Sequence, residues 1–200
     1  MTFSTLTIAN KALILCGANT ITSLTEDTQN ARTINSIYDM SRQEILTECK
    51  WSFAVSRTTL SVTVASSTMP WLHTNEAYVY SKPDVGILRI YESSDKYSKW
   101  RLEQDYIIAD TADLGIKYIF DNTDASKYPP KFVRAFIDLL CSEIAYILLN
   151  DVTKAEKFLE KYEGISLIKA QAEDGQTGLQ QVVLDDAWEN AKYTNDSTDA

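Results

Sequence analysis

The stretch from Thr25 to Leu60 constrains the fold most, because a helical pattern runs straight into a strand pattern with no linker between them. Ala31, Ile34, Tyr38, Ser41, Ile45 and Cys49 recur at three- and four-residue steps, the spacing of one helix face. Arg32, Arg42, Glu44 and Glu48 fall elsewhere. The apolar face is expected to be buried. Thr25 is the expected N-cap, with Glu26 and Asp27 in the first turn, where unpaired N–H groups and the helix dipole favour acidic side chains. After Lys50 the period shortens to two: Trp51, Phe53 and Val55 alternate with Ser52, Ala54 and Ser56, which predicts a half-buried strand.

On the N-terminal side, Leu6 to Cys16 places Ile8, Ala9, Ala12, Leu13 and Cys16 on one face, and Gly17 follows where helices end in a left-handed residue. This helix and the next form a hairpin that cannot bury both faces by itself. From Trp51 to Asp121 the chain is rich in Val, Ile, Thr, Tyr and Trp and is cut by the turn signals Pro70, Pro83, Asp84, Gly86 and Asp113-Leu114-Gly115. Strands are expected near 52–64, 76–81, 86–92, 98–103, 106–109 and 116–121, with no readable pairing order. Pro129 and Pro130 reopen a helix that is apolar almost all round from Phe132 to Leu148, and a fourth helix is expected from Val152 to Ala172. Gly164 is its weak point, costing about 1 kcal/mol against alanine. The expected fold class is α+β: a helical bundle built from N- and C-terminal helical hairpins (1–50 and 125–174), an inserted antiparallel β lobe (51–124) and an extended C-terminal arm (175–200).

Tyr38, Arg42, Leu46, the run Trp51-Ser52-Phe53-Ala54, Arg57 and Leu60 resemble the helix-to-strand signature of the head-to-tail adaptor family of short-tailed bacteriophages, also called tail tubular protein A. The resemblance continues through Trp71, Ala77-Tyr78-Val79-Tyr80, Pro83-Asp84 and Leu88-Arg89 to Trp100, Asp105, Tyr118 and Asp121. It ends with Ala135, Leu139, Leu140, Ala145, Tyr162, Ala170, Ala172 and Asp174, and so covers nearly the whole chain as spaced single residues. It implies a structural protein of the virion tail or neck, assembled in the host cytoplasm. Copies would form a ring, twelve-fold to match the portal, between the portal protein and the distal tail (nozzle) protein, continuing the DNA channel. It implies no membrane partner and no cofactor.

A net charge of −9 lacks the basic excess with which nucleic-acid binders displace counterions from phosphate, so genomic DNA is expected to pass without specific binding. Cys16, Cys49 and Cys141 are odd in number and form no CxxC, and His73 is the only histidine, so neither a disulfide framework nor a zinc site is expected. The N-terminus has no basic leader before its apolar run, so no secretory signal is expected. The apolar stretch from Phe132 to Leu149 contains Arg134, Asp138 and Glu143 and reads as a buried helix, not a membrane span.

The motifs of nucleotide binding, nucleophile elbows and metalloproteases are absent from the sequence, and His73 follows Pro70-Trp71-Leu72 in an expected loop. Paired carboxylates are the remaining acid–base candidates: Glu26-Asp27, Asp84 with Asp121, and Asp185-Asp186. They define the alternative reading, a tail-associated polysaccharide hydrolase, which needs two carboxyls about 5–10 Å apart with one pKa raised by burial. A helix start, strand turns and a solvated tail explain these acids without catalysis, so the chain is not expected to be an enzyme.

From Asp174 onward there are six acidic residues against Lys192, interrupted by the apolar anchors Val182, Val183, Leu184, Trp188 and Tyr193. This pattern predicts a docking arm, disordered in the free subunit and ordered on a partner, for which the resemblance points to the portal. Burying each anchor returns roughly 1.5–3 kcal/mol. Fixing some twenty residues costs on the order of 20–40 kcal/mol, so the arm also needs backbone hydrogen bonds from what it docks on.

Overall fold

The structure, a computed structural model, describes residues 2–62, 71–73, 76–95 and 97–176. It is a mixed α+β fold of helices and two small antiparallel sheets. The first helix, α1, spans Thr5–Cys16, with the Ser4 side chain accepting from the Thr7 N–H at its start and Gly17 at φ 79° closing its end, as the sequence predicts.

The second helix, α2, spans Gln29–Glu48 and is capped by Thr28, not Thr25. Glu26 accounts for the difference. Its carboxylate accepts from the Thr22 and Ser23 N–H groups and from the Thr22 and Thr28 hydroxyls, which holds the acidic residues in a turn ahead of the helix. Those contacts, the Thr22 hydroxyl first, hold its pKa down at about 2.

The alternating residues after α2 also differ from expectation. Ser52–Ala54 form a 3-10 turn, and the first strand, β1, begins only at Val55 and runs to Leu60. The Trp51 indole N–H donates to the Ile45 carbonyl at 2.7 Å and so satisfies one of the orphan carbonyls at the end of α2. The remaining strands are β2 (Tyr78–Ser81), β3 (Ile87–Ser93), β4 (Trp100–Glu103), β5 (Tyr106–Ala109) and β6 (Leu114–Phe120). They form two three-stranded sheets, ordered β1-β6-β3 and β2-β5-β4, with every pair antiparallel.

Leu114 and Gly115, expected in a turn, belong to β6. A Cβ at Gly115 would lie 2.8 Å from the Ser94 Cβ, so this glycine is required by close approach and not by chain reversal. The central strand β6 is covered on both faces. Leu114, Ile116 and Tyr118 join Leu60, Tyr80, Ile107 and Ala109 in a core shared by the two sheets, while Ile119 points into the helical core.

Helix α3 (Pro130–Ile147) starts with proline in its first turn and is the axis of the helical layer, touching α1, α2 and the C-terminal helices. That position explains why it is apolar almost all round. The last helix runs as α4 (Val152–Lys161), a π turn (Tyr162–Ser166) and α5 (Leu167–Gln176). The weak point at Gly164 falls inside the π turn, and the helix continues through Gly175 to Gln176, two residues into the segment expected as arm.

Candidate functional site

Three constructions stand out, and each is built by residues far apart in sequence. The first is the joint between helices and sheets. Arg42, expected on an exposed face of α2, is buried: its Nε and Nη2 donate to the two oxygens of Asp121 at 2.8 and 2.9 Å, and its Nη1 to Asp39. The bidentate pairing ties α2 to the end of β6, and Gln43 adds a third bond to Asp121 at 3.0 Å. Burial works against the arginine charge, but Asp121 and Asp39 outweigh it and push the Arg42 pKa up. The Asp121 carboxyl is held below its ordinary range, chiefly by the hydrogen bonds from Arg42. Beside this pair Trp51, Phe53 and Tyr128 close on Phe132 at centroid distances of 5.0, 4.7 and 5.1 Å. On the far side Asp174 of α5 accepts from the Ser52 N–H and hydroxyl.

The second is a carboxylate inside the helical layer. Asp138 of α3 is fully buried, with Lys161 Nζ at 2.8 Å on one oxygen and the Ser166 hydroxyl at 2.6 Å on the other. Lys161 precedes the π turn and Ser166 ends it. Five residues of ordinary α-helix would put the two side chains on different faces, whereas the i→i+5 winding of a π turn brings them to one face, where a single carboxylate takes both.

The third is an apolar groove of about 520 Å³ between α1 and α3. Phe3, Ile8, Val133 and Ile137 line it, Ile14 stands 55% exposed on its rim, and Lys11 and Arg134 supply a basic residue on each bank. Asn10 faces the same groove with its amide engaged both ways by the Ile21 backbone, at 2.8 Å in each direction.

The residues singled out from the sequence are not gathered into one site. His73 meets Trp71 edge to face at 5.0 Å, away from the three constructions. Asp27 pairs with Arg32 on the surface. Asp84 sits in the turn before β3, and the Asp121 N–H donates to the Gly86 carbonyl at 2.9 Å, two residues along the chain from Asp84. Asp121, however, gives its carboxylate to Arg42 and is shifted down, the opposite of what a general acid needs. Glu44 is an acid shifted upward, by burial first and then by Glu143 and Glu48.

Among the described residues no cluster of His, Cys, Asp or Glu could hold a metal ion, and no helix is long and apolar enough to cross a membrane. The arm residues Val182, Val183, Leu184, Trp188 and Tyr193, and the pair Asp185-Asp186, lie outside the described residues.

Sequence reasoning missed the Asp138 clamp and the groove. A single aspartate inside an all-round apolar helix was a usable signal, since buried carboxylates need partners. The groove had none, because Ile14 comes from α1 and Val133 and Ile137 from α3, helices far apart in the sequence. No protein-family model matches the chain, and no curated protein matches it.

Proposed function

We propose that this chain is a head-to-tail adaptor subunit of a short-tailed bacteriophage. In this reading it is a structural protein whose copies form a twelve-fold ring between the portal and the distal tail protein and extend the DNA channel. One observation carries the reading. The residues that resemble the adaptor family come from distant parts of the sequence, yet Arg42, Trp51 to Ala54, Asp121 and Asp174 meet in one joint that locks the β insert onto the helices. Their spacing therefore has a common physical purpose, a rigid angle between two lobes, which suits a subunit that transmits load between neighbours and not one that opens and closes on a substrate.

The finer architecture belongs to the same reading: a four-helix bundle of two terminal hairpins, a β lobe between them and an arm beyond the last helix that docks on a partner. A net charge of −9 suits a channel that lets DNA slide without gripping phosphate. The hydrolase reading loses its best-placed pair, because Asp121 is committed to Arg42. Light scattering of the protein alone and with the portal of the same phage tests the proposal. A monomer that becomes part of a portal complex is the expected result, and a stable free dimer with no affinity for portal would count against it.

A further inference from the structure

One face of the sheet β1-β6-β3 meets two environments. Ile119 points from it into the helical core, whereas Lys117, two residues back along β6 on the same face, lines an open cleft of about 510 Å³. The strand register arranges this cleft in two rows. In the first, Arg57 of β1 stands directly opposite Lys117, which has Glu92 of β3 on its other side. In the second, Thr59 stands opposite Gly115, and Ser94, the residue after β3, closes the row.

Like charges directly opposite each other across a strand pair cost stability, and the first row does little to offset that cost. Glu92 is the one carboxylate among the described residues that pairs with Lys117, at 3.3 Å and with its own side chain 55% exposed, and such a pair is weak. Arg57 has no carboxylate partner among the described residues. Beside the cleft the Lys50 Nζ lies 4.4 Å from the centre of the Tyr91 ring, which the Lys117 Nζ approaches at 5.4 Å, so a third cation adds to the patch. In a chain of net charge −9 this is a local excess of positive charge. The second row supplies hydroxyls. The Ser94 Oγ accepts from the Gly115 N–H at 2.9 Å and keeps its own proton to donate, and the Thr59 hydroxyl has no partner among the described residues. Gly115 puts no side chain between them.

We propose that this cleft binds a phosphate group, held between the Arg57 guanidinium and the Lys117 ammonium with the Thr59 and Ser94 hydroxyls beside it. The donor set favours phosphate over carboxylate. One arginine fork satisfies a planar carboxylate, whereas donors in two rows, from β1, β6 and the residue after β3, suit an anion whose oxygens point in several directions. Glu92 competes with such a ligand for Lys117. The group can be carried by a small phosphorylated molecule or by a nucleic-acid backbone. A single phosphate contact is weak and carries no sequence information, so the second source is compatible with DNA that passes without specific binding. The inference goes beyond the adaptor reading and does not depend on it.

The test titrates inorganic phosphate into the isotope-labelled full chain at constant ionic strength and follows the backbone amides by NMR. Saturable shifts are expected at residues 57–59, 92–94 and 115–117 as phosphate rises to about 50 mM. Arg57→Ala is expected to weaken binding about tenfold. Glu92→Gln, which releases Lys117, is expected to strengthen it about threefold. Both are exposed positions, where substitution leaves the fold intact. Short duplex DNA then separates the two sources: the same shifts with DNA assign a backbone phosphate, and shifts with inorganic phosphate alone assign a small phosphorylated ligand, either of which supports the site. No saturable shift with phosphate overturns the proposal. So do shifts that malonate reproduces at equal concentration, which would make the site a carboxylate binder, and binding indifferent to both variants. None of these outcomes bears on portal binding, by which the adaptor reading is judged.

Discussion

Replacing Asp138 with alanine removes the one group that holds both ends of the π turn. Its carboxylate receives Lys161 at 2.8 Å and Ser166 at 2.6 Å in a fully buried position, with Arg134 farther off at 3.4 Å. Hydrogen bonds to a charged group contribute about 1.5–3 kcal/mol each. The Lys161 side chain is 35% exposed and regains water when its partner is lost, so its bond belongs at the low end of that range. The Ser166 hydroxyl is buried and gains no such substitute. Together the loss is expected to be about 3–4 kcal/mol, which in a chain of this size lowers Tm by roughly 10 °C. Asp138→Asn keeps the shape and a bond to Ser166 and is expected to cost about half as much. Urea unfolding followed by circular dichroism measures both. An Asp138→Ala loss below about 1 kcal/mol, or an Asp138→Asn loss larger than the alanine loss, would refute the clamp.

Asp121→Asn is expected to cost about 2 kcal/mol at neutral pH. Because the folded-state pKa of Asp121 is lowered, its contribution is present above its ordinary value of about 3.9 and lost as pH falls through the lower folded value. Acid titration of both proteins checks this, and a difference that persists in strong acid would contradict it. Glu44 has the reverse sign. Its raised folded pKa means that its stabilising form is the protonated one, so the native residue stabilises most in acid and loses that contribution as pH rises. Glu44→Gln is therefore expected to raise Tm slightly at neutral pH and to leave it unchanged in acid, and a lowered Tm at neutral pH would count against the assignment. Of the thiols, Cys16 and Cys141 are buried between α1 and α3, whereas Cys49 is half-buried with its pKa pushed up by burial. In native protein an aromatic disulfide reagent is expected to titrate Cys49 slowly and the other two only on unfolding; three equally fast thiols would disprove that packing.

Much of the fold was legible because it follows from local periodicity. The faces of α1 and α3, the left-handed Gly17 and the prolines ahead of α3 all have short-range causes. Departures arose where a distant group changed the local preference. Arg42 reads as a surface residue until Asp121, seventy-nine positions away, draws it inward. Trp51 to Ala54 alternate like a strand, but Trp51 closes the end of α2 and Asp174 holds Ser52, so the chain turns before it extends. Gly115 reads as a turn signal and is instead a strand position pressed against Ser94. Strand order had no local signature, because β6, late in the insert, pairs with β1 at its start and with β3 in its middle. The candidate sites were less legible than the fold for the same reason: the clamp, the joint and the groove each exist only once separate segments meet.

Electron microscopy of the protein bound to the portal of the phage that encodes it tests the adaptor proposal most directly. The expected image is a twelve-fold annulus of this chain seated against the portal, with the subunits side by side and an open axial channel. Particles in which the portal stays bare, or in which this chain decorates a tail fibre or spike as a catalytic subunit would, contradict it.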